Sequence, residues 1–256
     1  MTKLLLALAL CAPASSRAHE IAAADSTAGE LARGFQAIRP ALAEFHAPKT
    51  STLVAGAGLR EGDPAVKGVL TLYFLLLRGS GWDRALLASH LDSVAAAYAR
   101  CGLRIDKAVL TEIDAPGGRT RFLRWKNEGP GSLRDLVAAS PDTERPMIYL
   151  FRGFDDEDDD AAFSRADFEE GGEDIDPVLF DSVFLPWGVN SDAYREQRKA
   201  SPYGVAAHEL WHVLTRIGSH FNVEPPNISN IWRTRADLIP PQYCPRILAN
   251  PLVRRP

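Results

Sequence analysis

Ala207-His208-Glu209-Leu210-Trp211-His212 sets two histidines four residues apart, with a glutamate beside the first. On a helix, residues four apart share a face, so both imidazoles can reach one metal ion. The glutamate projects towards the same point and can take a proton from a water held there. His208 and His212 are therefore candidate zinc ligands and Glu209 a candidate general base. Val205, Leu210, Val213, Leu214 and Ile217 fall at core-facing helical spacing around them. Ser201-Pro202 suits the start of that helix and Gly218 its stop. The plainer alternative is a helix surface whose polar residues happen to fall in this order.

A catalytic zinc site has three protein ligands and one position open to water. Downstream of the helix the candidates are His220, Glu224 and Asp237. His220 follows Gly218 by two residues, so a sharp turn there can return its side chain to the metal. Glu224 stands second, beside Pro225-Pro226, and Asp237 needs a long return.

Working outwards, Val69 to Leu77 is an apolar run closed by Gly79-Ser80-Gly81, and predicts a buried strand. Trp82 to Tyr98 carries apolar residues at 82, 86, 87, 91, 94, 95 and 98, which is helical spacing, and Gly102 suits its stop. Further strands are expected within Leu103–Ile113, at Met147–Phe151 and at Ser182–Leu185. Pro186 lacks a backbone donor, which argues for an edge strand there. Val183, Phe184 and Leu185 then become candidates for pairing with an extended peptide. The order predicts an α+β or mixed α/β fold with one sheet, two principal helices and an irregular C-terminal segment. Residues 19–65 read as a lead or pro-like segment, with a helix from near Thr27 towards Ala47, and residues 66–256 as the metal-binding domain.

The first 18 residues read as a secretory signal peptide: Lys3, the apolar run Leu4–Cys11, and small residues around a cut after Ala18. Removing them lowers 29 basic residues to 27 against 33 acidic ones, a net charge of −6. Cys101 and Cys244 remain, an even pair that in an exported protein suggests a disulfide, the alternative being two buried thiols. No basic block points to nucleic acid, and no other apolar run is long enough to cross a membrane. The acidity is concentrated at 155–181, with 13 of the 33 acids. Asp156, Asp158, Asp160 and Asp167 are spaced as in a calcium loop, but Ala161 stands where such a loop needs glycine. A solvated acidic loop is the preferred reading, with Ca2+ the alternative.

From about residue 68 to 221 the chain resembles the metzincin clan of zinc metallopeptidases, in its order of elements and in His208, Glu209 and His212. The clan pattern is HExxHxxGxxH followed by a methionine-containing turn. In HELWHVLTRIGSH at 208–220 the third histidine comes two residues late. This is similar to a matrixin-like bacterial branch in which a glycine, a third histidine and an Asn-Leu-Met turn follow the helix. Asn227-Ile228-Ser229 stands at that turn without methionine, so Ile228 or Ser229 is expected to floor the site. Trp211 occupies a position often small in the clan, and reads as core or as a constraint on packing at the site.

The resemblance implies a metzincin-like catalytic domain, a twisted mixed sheet with an antiparallel edge strand and two main helices. It implies Zn2+ on His208, His212 and His220, with Glu209 as base, and it supports the Cys101–Cys244 disulfide. The expected function is a secreted or periplasmic zinc endopeptidase acting on a peptide or protein substrate. The alternatives are a catalytically silent relative used for binding or regulation, and a zinc peptidase of another clan with Glu224 as ligand.

Overall fold

The strongest apolar runs of the chain become the middle of one sheet. The computed structural model describes residues 46–115, 118–124, 131–138, 140, 144–156, 161–168, 176–192, 194, 204–221, 227–229 and 239–256. All of these lie in the compact unit Ile38–Pro256. The expected signal peptide ending at Ala18 lies outside the described residues. So do Ser201, Pro202, Glu224, Asp237, and Asp158 and Asp160 of the acidic run.

In chain order the elements are β1 (His46–Leu53), β2 (Gly68–Leu77), α1 (Arg84–Ala99), β3 (Leu103–Asp114), β4 (Arg121–Phe122), α2 (Leu133–Val137), β5 (Met147–Phe151), β6 (Gly153–Phe154), β7 (Phe163–Arg165), β8 (Ser182–Pro186), α3 (Gly204–Thr215) and α4 (Cys244–Ala249). Six strands form a mixed sheet in the order β1-β3-β2-β5-β8-β7, and β4 pairs with β6 separately. The four central strands are parallel, while β1 and β7 run antiparallel to their neighbours. The fold is thus mixed α/β with few helices.

Because β2, β5 and β8 are covered on both faces, they read as nearly continuous apolar runs, whereas β3 keeps Asp106 and Lys107 exposed. On one face Leu70, Leu72, Phe74, Ile148, Leu150, Val183 and Leu185 join a core with Leu87, Leu91 and Val94 of α1 and Leu210 and Leu214 of α3. On the other, Tyr149 and Phe163 stack on Phe184 at centroid separations of 5.1 and 4.9 Å. Phe151 and Phe154 extend that aromatic layer, 5.0 Å apart and edge to face.

Asp83 caps α1 by accepting from the Leu86 amide at 2.8 Å. Gly102 ends it with φ 76°, and a Cβ there would sit 2.7 Å from the Ala65 carbonyl oxygen. Only glycine fits that turn. The next strand therefore starts at once, beside β2.

Four expectations change. Ser182–Leu185 belongs to β8, which pairs with β5 on one side and β7 on the other, so it is not an edge. Val183, Phe184 and Leu185 are fully buried and cannot receive a peptide. Pro186 misled: it is the last residue of its strand, opposite Phe151, where a missing donor breaks no central ladder. Second, the boundary at residue 65 does not divide the sheet, since His46–Leu53 is β1, registered on β3 from His46↔Asp114 to Leu53↔Ala108. That also replaces the helix expected to reach Ala47. Third, α3 ends at Thr215 rather than running to Ile217 with Gly218 as its stop, and the chain turns at Arg216, with φ 57°.

Fourth, the described end of the C-terminal segment, 239–256, is not irregular throughout but carries the short helix α4. A disulfide joins Cys101 to Cys244 at the start of α4, with a Cα–Cα distance of 5.0 Å. Asn250, beyond α4, donates to the Val213 and Leu214 carbonyls at 3.2 and 3.1 Å, satisfying acceptors at the end of α3.

Candidate metal centre

The centre is held where α3, its C-terminal turn and β7 meet. Every residue of α3 is buried, including His208, Glu209 and His212, which are 6, 7 and 3% exposed. Tyr98 of α1 donates to the Ala207 carbonyl at 3.0 Å, tying the two long helices together one residue before the first histidine.

His208 Nδ1 is hydrogen-bonded to the Ile228 carbonyl, and His212 Nδ1 to the Ile217 carbonyl, each at 2.5 Å. A neutral imidazole that donates from Nδ1 leaves Nε2 as a bare lone pair. Those lone pairs converge. His208 Nε2 lies 3.3 Å from His212 Nε2, and His220 Nε2 lies 3.1 and 3.2 Å from the two. Three imidazole nitrogens in a nearly equilateral triangle are mutually repulsive unless a cation sits among them. The cluster could hold a metal ion, and it is the one such group among the described residues. His220 is exposed, so one side of the cluster opens to solvent.

Burial, with the neighbouring His208 adding to it, pushes the His212 imidazole down to about 3. Glu209 and the Ile217 carbonyl pull weakly the other way. His212 is therefore neutral across the physiological range, the form a metal requires.

Ile228 is fully buried and its backbone carbonyl bonds His208 Nδ1. Ser229 instead bonds Asn227 Oδ1 through both its amide and its hydroxyl, at 2.9 and 2.7 Å, which shapes the turn. Trp211 is fully buried, 4.8 Å from the His212 ring and 5.3 Å from the Tyr243 ring. It is core, and Cys244, the residue after Tyr243, carries the disulfide to Cys101.

One polar contact was not expected from sequence. Ser164 of β7 donates from Oγ to Glu209 Oε2 at 3.1 Å, and both residues are buried. A lone serine in an acid-rich stretch gives no signal of this; only the placement of β7 against α3 does. In the same stretch, Asp155 pairs with Arg121 at 3.0 Å and Asp156 accepts from the Arg124 amide at 2.9 Å. Asp156 therefore holds the backbone at Arg124. Neither the family models nor the curated proteins contain a match to this chain.

Proposed function

We propose that this protein is an exported zinc-dependent endopeptidase related to the metzincins, with His208, His212 and His220 as ligands and Glu209 as general base. The convergence of three Nε2 atoms carries the reading. Three imidazole nitrogens 3.1–3.3 Å apart have a spacing at which all three could bind one tetrahedral zinc ion. The Nδ1 hydrogen bonds of His208 and His212 to backbone carbonyls are the orienting contacts that such sites use. An antiparallel strand at the sheet edge, beside the helix that carries the ligands, further supports the resemblance.

When bound, zinc supplies activation of a water and polarisation of the scissile carbonyl. Glu209 takes the proton of the attacking water on its carboxylate and passes it to the leaving amine nitrogen. Ser164 keeps Oε2 in place while this happens. The peptide lies extended along β7, whose outer side has no partner among the described residues.

The test is to strip the protein with a chelator, restore zinc, and digest a broad peptide library with each form. Zinc-dependent cleavage is expected from the reloaded protein alone. A fully zinc-loaded protein that cuts nothing would overturn the reading.

A hydrogen bond to a charged group is worth about 1.5–3 kcal/mol. Ser164→Ala is therefore expected to lower kcat by about tenfold or more, with KM and zinc content unchanged and with recovery in Ser164→Thr. Steady-state kinetics check this; a change confined to KM would remove Ser164 from the role.

A further inference from the structure

Among the described residues, two that are not glycine have a left-handed backbone: Asp181, φ 56°, and Arg216, φ 57°. This conformation is unfavourable for a residue with a Cβ, less so for aspartate than for arginine. The two are paired with each other. Arg216 Nη1 donates to Asp181 Oδ1, and both side chains are less than a fifth exposed.

Each end of this pair has a fixed job. Asp181 stands immediately before β8, and its carbonyl accepts from the Met147 amide at 3.1 Å, locking it to the start of β5. Arg216 is the first residue after α3, and its left-handed turn takes the chain off the helix axis. The next residue, Ile217, presents its carbonyl to His212 Nδ1, and three residues further His220 reaches 3.2 Å from His212. One turn thus orients the second histidine and returns the third.

Resting on the metal-site reading above, we propose that the Asp181–Arg216 ion pair is a positioning device for the metal. It holds a strained turn against the sheet, so that the His212 and His220 nitrogens stay at ligand spacing. Neither residue touches the metal, yet metal affinity depends on both.

The test compares the full-length wild type with Asp181→Asn, Arg216→Gly and the double variant. Zinc affinity is measured by competition with a chromophoric chelator, and stability of the metal-free forms by urea unfolding. Arg216→Gly removes the guanidinium and the backbone strain together, so its metal-free stability should stay near wild type. Asp181→Asn keeps a residue tolerant of the left-handed region and loses only the charge. Each single variant is expected to bind zinc about tenfold more weakly, and the double no more weakly than the worse single. Unchanged affinity in both singles would overturn the proposal, as would losses that merely track metal-free stability. A wild-type chain that binds no zinc overturns the metal reading and this proposal with it, and is recognised before any substitution is compared.

Discussion

Glu209→Gln is expected to leave zinc binding intact and to lower peptide cleavage by about 10²- to 10⁴-fold, the usual contribution of a positioned general base. The amide has the shape of the carboxylate, so the packing of α3 around this buried residue is undisturbed. Ser164 Oγ can still donate to the amide oxygen, as it does to Oε2 at 3.1 Å. What is lost is the ability to accept a proton from water and release it to the leaving amine. Parallel measurement of zinc content and of kcat/KM separates this from damage to the site. Cleavage that persists at the wild-type rate would remove Glu209 from the chemistry. A variant that loses its zinc would instead assign Glu209 a role in holding the ligands.

The second large effect is on stability. Cys101 and Cys244 are 143 residues apart, and closing a loop of that length stabilises the fold by about 5 kcal/mol on chain-entropy estimates. That is a large fraction of the ~5–15 kcal/mol by which domains are usually stable. Local geometry adds to it. The disulfide fixes α4, beyond which Asn250 satisfies the Val213 and Leu214 carbonyls at the end of α3. It also fixes Tyr243 against Trp211, whose ring packs on His212. The Cys101→Ala, Cys244→Ala double variant should therefore unfold at much lower urea and bind zinc more weakly. A loss below about 1 kcal/mol would mean that the reduced chain already holds α4 in place.

Much of this arrangement was legible in the sequence, for reasons that also explain the failures. β2 and β5 are apolar runs and α1 has helical periodicity, so burial alone announces them. His220 could be found because a turn after the helix was needed to complete a three-ligand site. β1 was missed because Lys49-Thr50-Ser51-Thr52 offers no apolar alternation, and its pairing with β3 depends on the rest of the sheet. β7 is three residues long inside the acidic stretch, too short for a periodic signal.

The misplaced edge has a specific lesson. Pro186 suggests an edge, whereas the unbroken Val183-Phe184-Leu185 run is the better sign, since a strand buried on both faces shows no alternation. The turn at Arg216 was illegible for a different reason. Glycine is the usual marker of a left-handed residue, and here arginine adopts it, paired across the fold with Asp181.

The most direct test is zinc X-ray absorption on the metal-loaded protein, with zinc content measured for the wild type and for His220→Ala. One zinc per chain is expected, with three imidazole nitrogens at about 2.0–2.1 Å, and one imidazole fewer together with weaker retention in His220→Ala. Full zinc occupancy with an unchanged shell in His220→Ala, or a wild-type shell without three imidazoles, would contradict a centre built on His208, His212 and His220.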